Sequence, residues 1–148
     1  MLWLYNGALD VESILSDWYR EYRDKNFGAF INFVGIVRKE GNIEGLSFDI
    51  YEPLLRSWFE EWQKRAKSKN ALVLMAHSIG DVPIHKSSYI SAVLSPKRRV
   101  ALSMIDEFVE DFKANAPIWK YDLVDGKRVY AKDRSLKLPN SGILSSKD

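Results

Sequence analysis

The chain has 148 residues, of which 46% are apolar, which suits one domain with a sizeable core. It contains no cysteine, which excludes disulfides, thiolate metal sites and cysteine nucleophiles together. The net charge of +2 is too small to mark a nucleic-acid binder, so the placement of the cations matters more than their number.

His77 and His85 are the only histidines, and no His/Asp/Glu cluster has metal-ligand spacing. No apolar run has the length of a bilayer span. Residues 1–5 lack the basic start and small-residue end of a signal peptide, which makes the cytoplasm the expected address. No P-loop, dinucleotide fingerprint or Gly-x-Ser-x-Gly elbow occurs.

Residues 2–5 read as a short strand ended by Asn6-Gly7. Asp10 is a good N-cap, and Val11, Ile14, Leu15 and Trp18 keep helical spacing to about Arg23. Lys25-Asn26 makes a turn. The run Gly28-Ala-Phe-Ile-Asn-Phe-Val-Gly-Ile-Val-Arg38 is nearly all apolar and predicts a central strand covered on both faces. Gly28 and Gly35 suggest bulges or close backbone approach. Arg38 closes this strand, as a binding group or as a snorkelling edge residue.

Residues 46–51 alternate as a strand. Pro53 suits the first turn of a helix that runs to about Lys69, with Leu54, Leu55, Trp58, Phe59 and Trp62 inward. Its basic end, Lys64, Arg65, Lys67 and Lys69, reads as a solvated face that complements the helix dipole. Residues 71–77 form a second apolar strand. Residues 78–81 read as a turn, residues 82–84 as a kinked connection and residues 88–94 as another strand. His77 and His85 read as satisfied structural or surface histidines.

Ser95 is a plausible N-cap with Pro96 at the first position of the longest helix. Val100, Ala101, Met104, Ile105, Phe108, Val109 and Phe112 make its apolar stripe. Lys97, Arg98 and Arg99 stand at its start, against the preference of the helix dipole for anions there. Either a phosphate meets them or they point to water. Pro117 ends the helix, which places Lys113 in its last turn and Lys120 in the following strand, 118–124. Asp125-Gly126 predicts a hairpin turn, with 128–131 pairing back. Residues 1–138 then form one domain, and 139–148 a polar tail expected to be mobile unless a partner orders it.

The stretch 113–120 carries the main functional signal. A reversal at Asn115-Ala116-Pro117 could bring the Lys113 and Lys120 amines into one pocket. The alternative is a dipole-complementing Lys113 and a solvated strand Lys120. Arg38, Lys97, Arg98, Lys113 and Lys120 all lie at element ends. If they converge, they suit an anionic, phosphate-bearing small molecule. Clustered cations would depress a lysine pKa and so favour a base or nucleophile.

The strand 28–38, His77 with Ile79-Gly80, Ser95-Pro-Lys-Arg98 and Lys113-x3-Pro-Ile-Trp-Lys120 occur in an order and spacing that resemble the large, catalytic subunits of molybdopterin synthase. The similarity covers roughly residues 10–134. It implies an α+β chain with an α/β hammerhead fold, an added small antiparallel β subdomain and three main helices. It also implies a central homodimer within a heterotetramer, without metal or prosthetic group. A small ubiquitin-like sulfur-carrier subunit would insert its C-terminal Gly-Gly thiocarboxylate, and sulfur would pass to cyclic pyranopterin monophosphate to build the molybdopterin dithiolene.

By motif position, Lys113 and Lys120 match the family's two essential lysines. Arg38 matches an arginine that binds the substrate's anionic group, and Arg98 the arginine of a His-Arg pair. Lys132 or Arg134 could match a basic residue that reaches the neighbouring subunit's pocket. The chain departs from the family at several places. Lys97 stands where His is usual, Ser78 where Arg is usual, His85-Lys86 where a Gly-acidic turn is common, and Tyr121-Asp122 where a basic-acidic pair is common. The competing expectations are a carrier-docking homologue without turnover, and a phosphate-ligand or nucleic-acid binding module.

Overall fold

The computed structural model describes residues 1–130. Lys132, Arg134 and the tail 139–148 lie outside the described residues. The elements run β1 Leu2–Asn6, α1 Val11–Tyr22, β2 Ala29–Ile36, β3 Gly45–Ile50, α2 Glu52–Lys67, β4 Leu72–Pro83, β5 Ser87–Ser95, α3 Arg98–Asn115, β6 Ile118–Val124 and β7 Lys127–Tyr130. The architecture is α+β, as the sequence leads one to expect. The seven strands form one sheet in the order β2-β5-β4-β3-β6-β7, with β1 added parallel to β4.

β4 joins the two parts of this sheet. Its first half pairs with β5 and β1, and its second half pairs with β3. The expected turn over 78–81 is therefore absent, because the strand continues through it to Pro83. Gly80 has φ +82° and supplies the local twist without breaking the ladder. A kink inside a strand and a turn between strands carry the same residues, and only pairing partners separate them.

β2 is also not central. It lies at the sheet edge and pairs with β5 alone among the described residues. Both its faces are nevertheless covered. Ile31 and Phe33 pack into the core under α2 and α3, while Phe30 and Val34 pack into the core under α1. Apolar faces report layers above and below a strand, not neighbours beside it. The glycines behave as expected: a Cβ on Gly28 would stand 2.4 Å from the Pro96 carbonyl oxygen, and the β2–β5 register shifts between Gly35 and Ile36.

Asp10 caps α1 by accepting from the Ser13 N–H at 3.1 Å. The start of α3 differs from expectation. Ser95 is the last residue of β5, Lys97 occupies the N-cap position, and Arg98 is the first helical residue. The Ser95 hydroxyl donates to the Lys97 carbonyl at 2.5 Å, so it braces the turn instead of capping the helix. The four cations that close α2 are exposed, as read from the sequence. Arg65 also pairs with Glu107 across the helix interface and stacks on Trp62.

Asp111 clasps α3 to α2. One of its oxygens accepts from Trp58 Nε1 at 2.8 Å and Trp62 Nε1 at 2.7 Å, and the other from Asn115 Nδ2 at 2.7 Å. This fixes the last turn of α3, which carries Lys113. Arg128 does the same for β7. It donates to both Asp49 oxygens, at 2.9 and 3.3 Å, and lies 4.0 Å over the Tyr121 ring. Its hydrogen bonds hold the Asp49 carboxyl below the usual carboxylate range.

Candidate active site

The site begins where α3 ends. Ala116 turns to extended backbone, with φ −64° and ψ 133°, as a residue before proline must. Pro117 and Ile118 are buried, so the chain reverses inside the protein and leads directly into β6. Lys113 ends up half-buried in the last turn of α3, with its Nζ 5.7 Å from the centre of the Phe33 ring.

Lys120 is 1% exposed and sits on β6 directly opposite Phe48 of β3. Phe48 and Ile118 belong to the core between the sheet and α2/α3, and strand alternation puts Lys120 on that same face. A solvated strand lysine is therefore excluded. Burying an amine costs free energy that an apolar residue would not, so its placement points to chemistry or binding.

The wall around the two lysines is aromatic. Tyr89 stacks on Phe112 at 4.1 Å and 7°, and Phe33 lies 5.8 Å from Tyr89. His77 is fully buried, with Phe48 edge-on at 4.9 Å and Phe112 at 5.6 Å. Its Nδ1 lies 2.7 Å from the Ser78 carbonyl oxygen. A carbonyl only accepts, so Nδ1 carries the proton and Nε2 presents a bare lone pair. Burial holds the imidazole down to about 4, and pushes the Tyr89 phenol up with only partial offset from the neighbouring Ser91 hydroxyl.

The other cations stand apart. Arg38 follows the end of β2, is exposed, and pairs with Glu40 at 2.9 Å. Lys97 and Arg98 are exposed at the start of α3, opposite the end that holds Lys113. At 1.5 Å per residue, the helix separates Arg98 from Lys113 by about 22 Å. The structure thus places Lys113 in the last turn of α3 and the buried Lys120 on β6, joined by the short reversal at 115–117, with Lys97 and Arg98 at the far end of the helix. Lys132 and Arg134 lie outside the described residues. Among the described residues no group of His, Cys, Asp and Glu side chains could hold a metal. No helix there is long and apolar enough to cross a membrane.

Sequence reasoning passed over Tyr89, and its structural reading of His77 agrees with that side chain's full burial and its Nδ1 bond. No motif marks Tyr89, and a histidine in an apolar strand gives no sign of which nitrogen is bonded. The signal available was the pairing of 71–77 with 88–94, which places both side chains on one inner face.

The model of the family described as MoaE protein matches residues 5–115. A molybdopterin synthase catalytic subunit of Helicobacter pylori is 54% identical over 98% of this chain and 100% of its own length. One of Pyricularia oryzae is 30% identical over 83% of this chain and 68% of its own. Among solved structures, the complex of subunits 1 and 2 of molybdopterin-converting factor from Helicobacter pylori superposes with a TM-score of 0.88 and 54% identity, covering 90% of this chain and 91% of that one. Molybdopterin synthase from Staphylococcus aureus shares the fold, with a TM-score of 0.72 and 24% identity over 86% and 93% of the two chains. With the family model spanning most of its length and such relatives matching nearly end to end, this chain belongs to the MoaE family, the catalytic subunits of molybdopterin synthase.

Proposed function

We propose that Lys113 and Lys120 form the corner at which this catalytic subunit moves sulfur from the C-terminal thiocarboxylate of a small ubiquitin-like carrier to cyclic pyranopterin monophosphate, in molybdenum cofactor biosynthesis. The observation that carries this reading is the burial of Lys120 on β6, one braced turn after the half-buried Lys113. An extended Gly-Gly terminus has no side chains, so it suits a narrow corner walled by Phe33, Phe112 and Tyr89. Lys113, nearer the surface, meets the acyl carbonyl and attacks or polarises it; donors placed where charge develops are worth most in a water-poor site. Lys120 lies deeper and holds the reacting groups against it.

Arg38 serves the precursor's anionic group, and its exposed pairing with Glu40 is weak enough for a phosphate to displace. Lys97 and Arg98 serve an anion too, from a second copy of the chain. Their distance of about 22 Å from Lys113 along α3 supports a homodimer in which each site takes cations from both protomers. Lys97 keeps the donor and charge of the family's histidine, which suffices for holding an anion. Lys132 or Arg134 of the closing segment would add to the neighbouring site. The enzyme works in the cytoplasm as a heterotetramer with two carriers. Neither metal nor cofactor takes part.

The test is Lys113→Ala in an assay with thiocarboxylated carrier and precursor. Turnover should be abolished while the circular dichroism spectrum and carrier binding persist. Wild-type-like turnover in that variant would remove the assignment. Retained carrier binding with no turnover in the wild-type protein would favour a docking homologue instead.

A further inference from the structure

Three buried polar atoms share the inner face of β4 and β5: His77 Nε2, the Tyr89 hydroxyl and the Ser91 hydroxyl. None makes a hydrogen bond of ordinary geometry with the described residues, although the Ser91 hydroxyl is close enough to the Tyr89 phenol to offset part of its upward pKa shift. The sheet register explains why they meet. His77 on β4 is directly opposite Tyr89 on β5, and Ser91 lies two residues further along β5, on the same face. Ser91 is in turn opposite Phe33 of β2. The three residues are 0%, 5% and 0% exposed. A fourth unpartnered atom, Ser78 Oγ, follows His77 on β4 and by alternation faces the other layer.

The chemistry of the three is complementary but incomplete. His77 offers only an acceptor, because its Nδ1–H is spent on the Ser78 carbonyl. Tyr89 and Ser91 each offer a donor and acceptor. Buried polar groups in native proteins are bonded in the great majority, and a buried water typically makes about three hydrogen bonds to groups otherwise unsatisfied. We propose that His77, Tyr89 and Ser91 form a binding site for one ordered water, which donates to His77 Nε2 and bonds both hydroxyls, and that this bridge positions the aromatic floor of the lysine corner.

The link to the corner is direct. The Tyr89 ring stacks on Phe112, the residue before Lys113, and lies beside Phe33, over which the Lys113 amine sits. His77 meets Phe48 edge-on, and Phe48 is opposite Lys120. Holding Tyr89 by its hydroxyl therefore fixes the ring that both Phe112 and Phe33 rest on. The buried imidazole stays neutral down to about pH 4, so Nε2 remains an acceptor through the working range.

The test is a double-mutant cycle of His77→Phe and Ser91→Ala in the full chain, read by thermal unfolding, because these two side chains couple only through a bridge, whereas Tyr89 and Ser91 also interact directly. An unpaired buried polar group is a liability, so its removal raises Tm; a bridged one is an asset, so its removal lowers Tm. Each single variant should lower Tm by about 3 °C, and the double variant by less than the sum. A rise in Tm for either, or strict additivity, overturns the water site. The positioning role, which rests on the sulfur-transfer reading, is tested by kinetics. Tyr89→Phe should lower kcat several-fold with KM for the precursor unchanged, and an unchanged kcat overturns that role. The thermal cycle uses no substrate, so loss of the sulfur-transfer reading would leave its result standing.

Discussion

At position 120 a lysine stands in the main core. The site is 1% exposed and opposite Phe48, and methionine fills a lysine's volume without its charge. Lys120→Met is therefore the informative variant, because alanine would add a cavity to the chemical change. The fold should persist with a cooperative thermal transition near that of the wild type, while turnover falls on the order of 100-fold or more. A clear loss of Tm, measured by calorimetry, would show that the amine serves the fold instead. His77 gives a second residue-scale prediction. Burial holds it at about 4, below its ordinary 6.5, so the unfolded chain takes up a proton that the native chain refuses. The stability that goes with neutral His77 is complete above pH 6.5 and is lost as pH falls toward 4, roughly 3 kcal/mol in all. Urea titrations between pH 7 and 4.5 should show this slope in the wild type and a flatter one in His77→Phe. Equal slopes would mean that His77 is not the group responsible.

The helices were legible from their apolar spacing and the strands from their runs, but the sheet was not. Residues 28–38 are apolar because layers cover both faces, and the same pattern fits an edge or a centre. Residues 78–81 look like a turn because Gly80 bends them, yet β4 continues through the bend, pairing with β1 up to Ile79 and with β3 from Gly80. Long-range pairing decided both, and local sequence does not encode it. Lys113 and its proline stop were readable, since both depend on nearest neighbours. The depth of Lys120 was not, since it depends on which face of β6 meets α3. His85 shows the reverse case, a local feature with a local cause. Its φ is +70°, in the left-handed region that favours glycine. His85→Gly should stabilise the protein by about 0.5–1 kcal/mol in urea unfolding, because only glycine adopts that backbone without strain. The hydrogen bond from its N–H to the Val37 carbonyl survives the change. A destabilised variant would mean that the imidazole itself has a role.

For the whole molecule, the length of α3 sets the problem. It carries Lys113 at one end and Lys97 with Arg98 at the other, about 22 Å apart. If the active unit is a dimer with shared sites, Lys120→Met and Arg98→Ala protomers should complement each other. Random mixing of the two inactive variants, after dissociation and reassembly, would recover about a quarter of wild-type turnover, because half of the dimers then hold one intact site of two. No recovery would place both groups in one protomer's site and contradict the shared arrangement. The resemblance read from the sequence supplied the reaction, and the fold supplied the reason that one chain alone does not gather all its cations.

The most direct test is a single-turnover experiment. Wild-type protein and Lys120→Met would each be mixed with thiocarboxylated carrier and cyclic pyranopterin monophosphate, and the dithiolene product followed. The lysine corner predicts product from the wild type and none from the variant, with carrier bound equally by both. Product from Lys120→Met at the wild-type rate would contradict it.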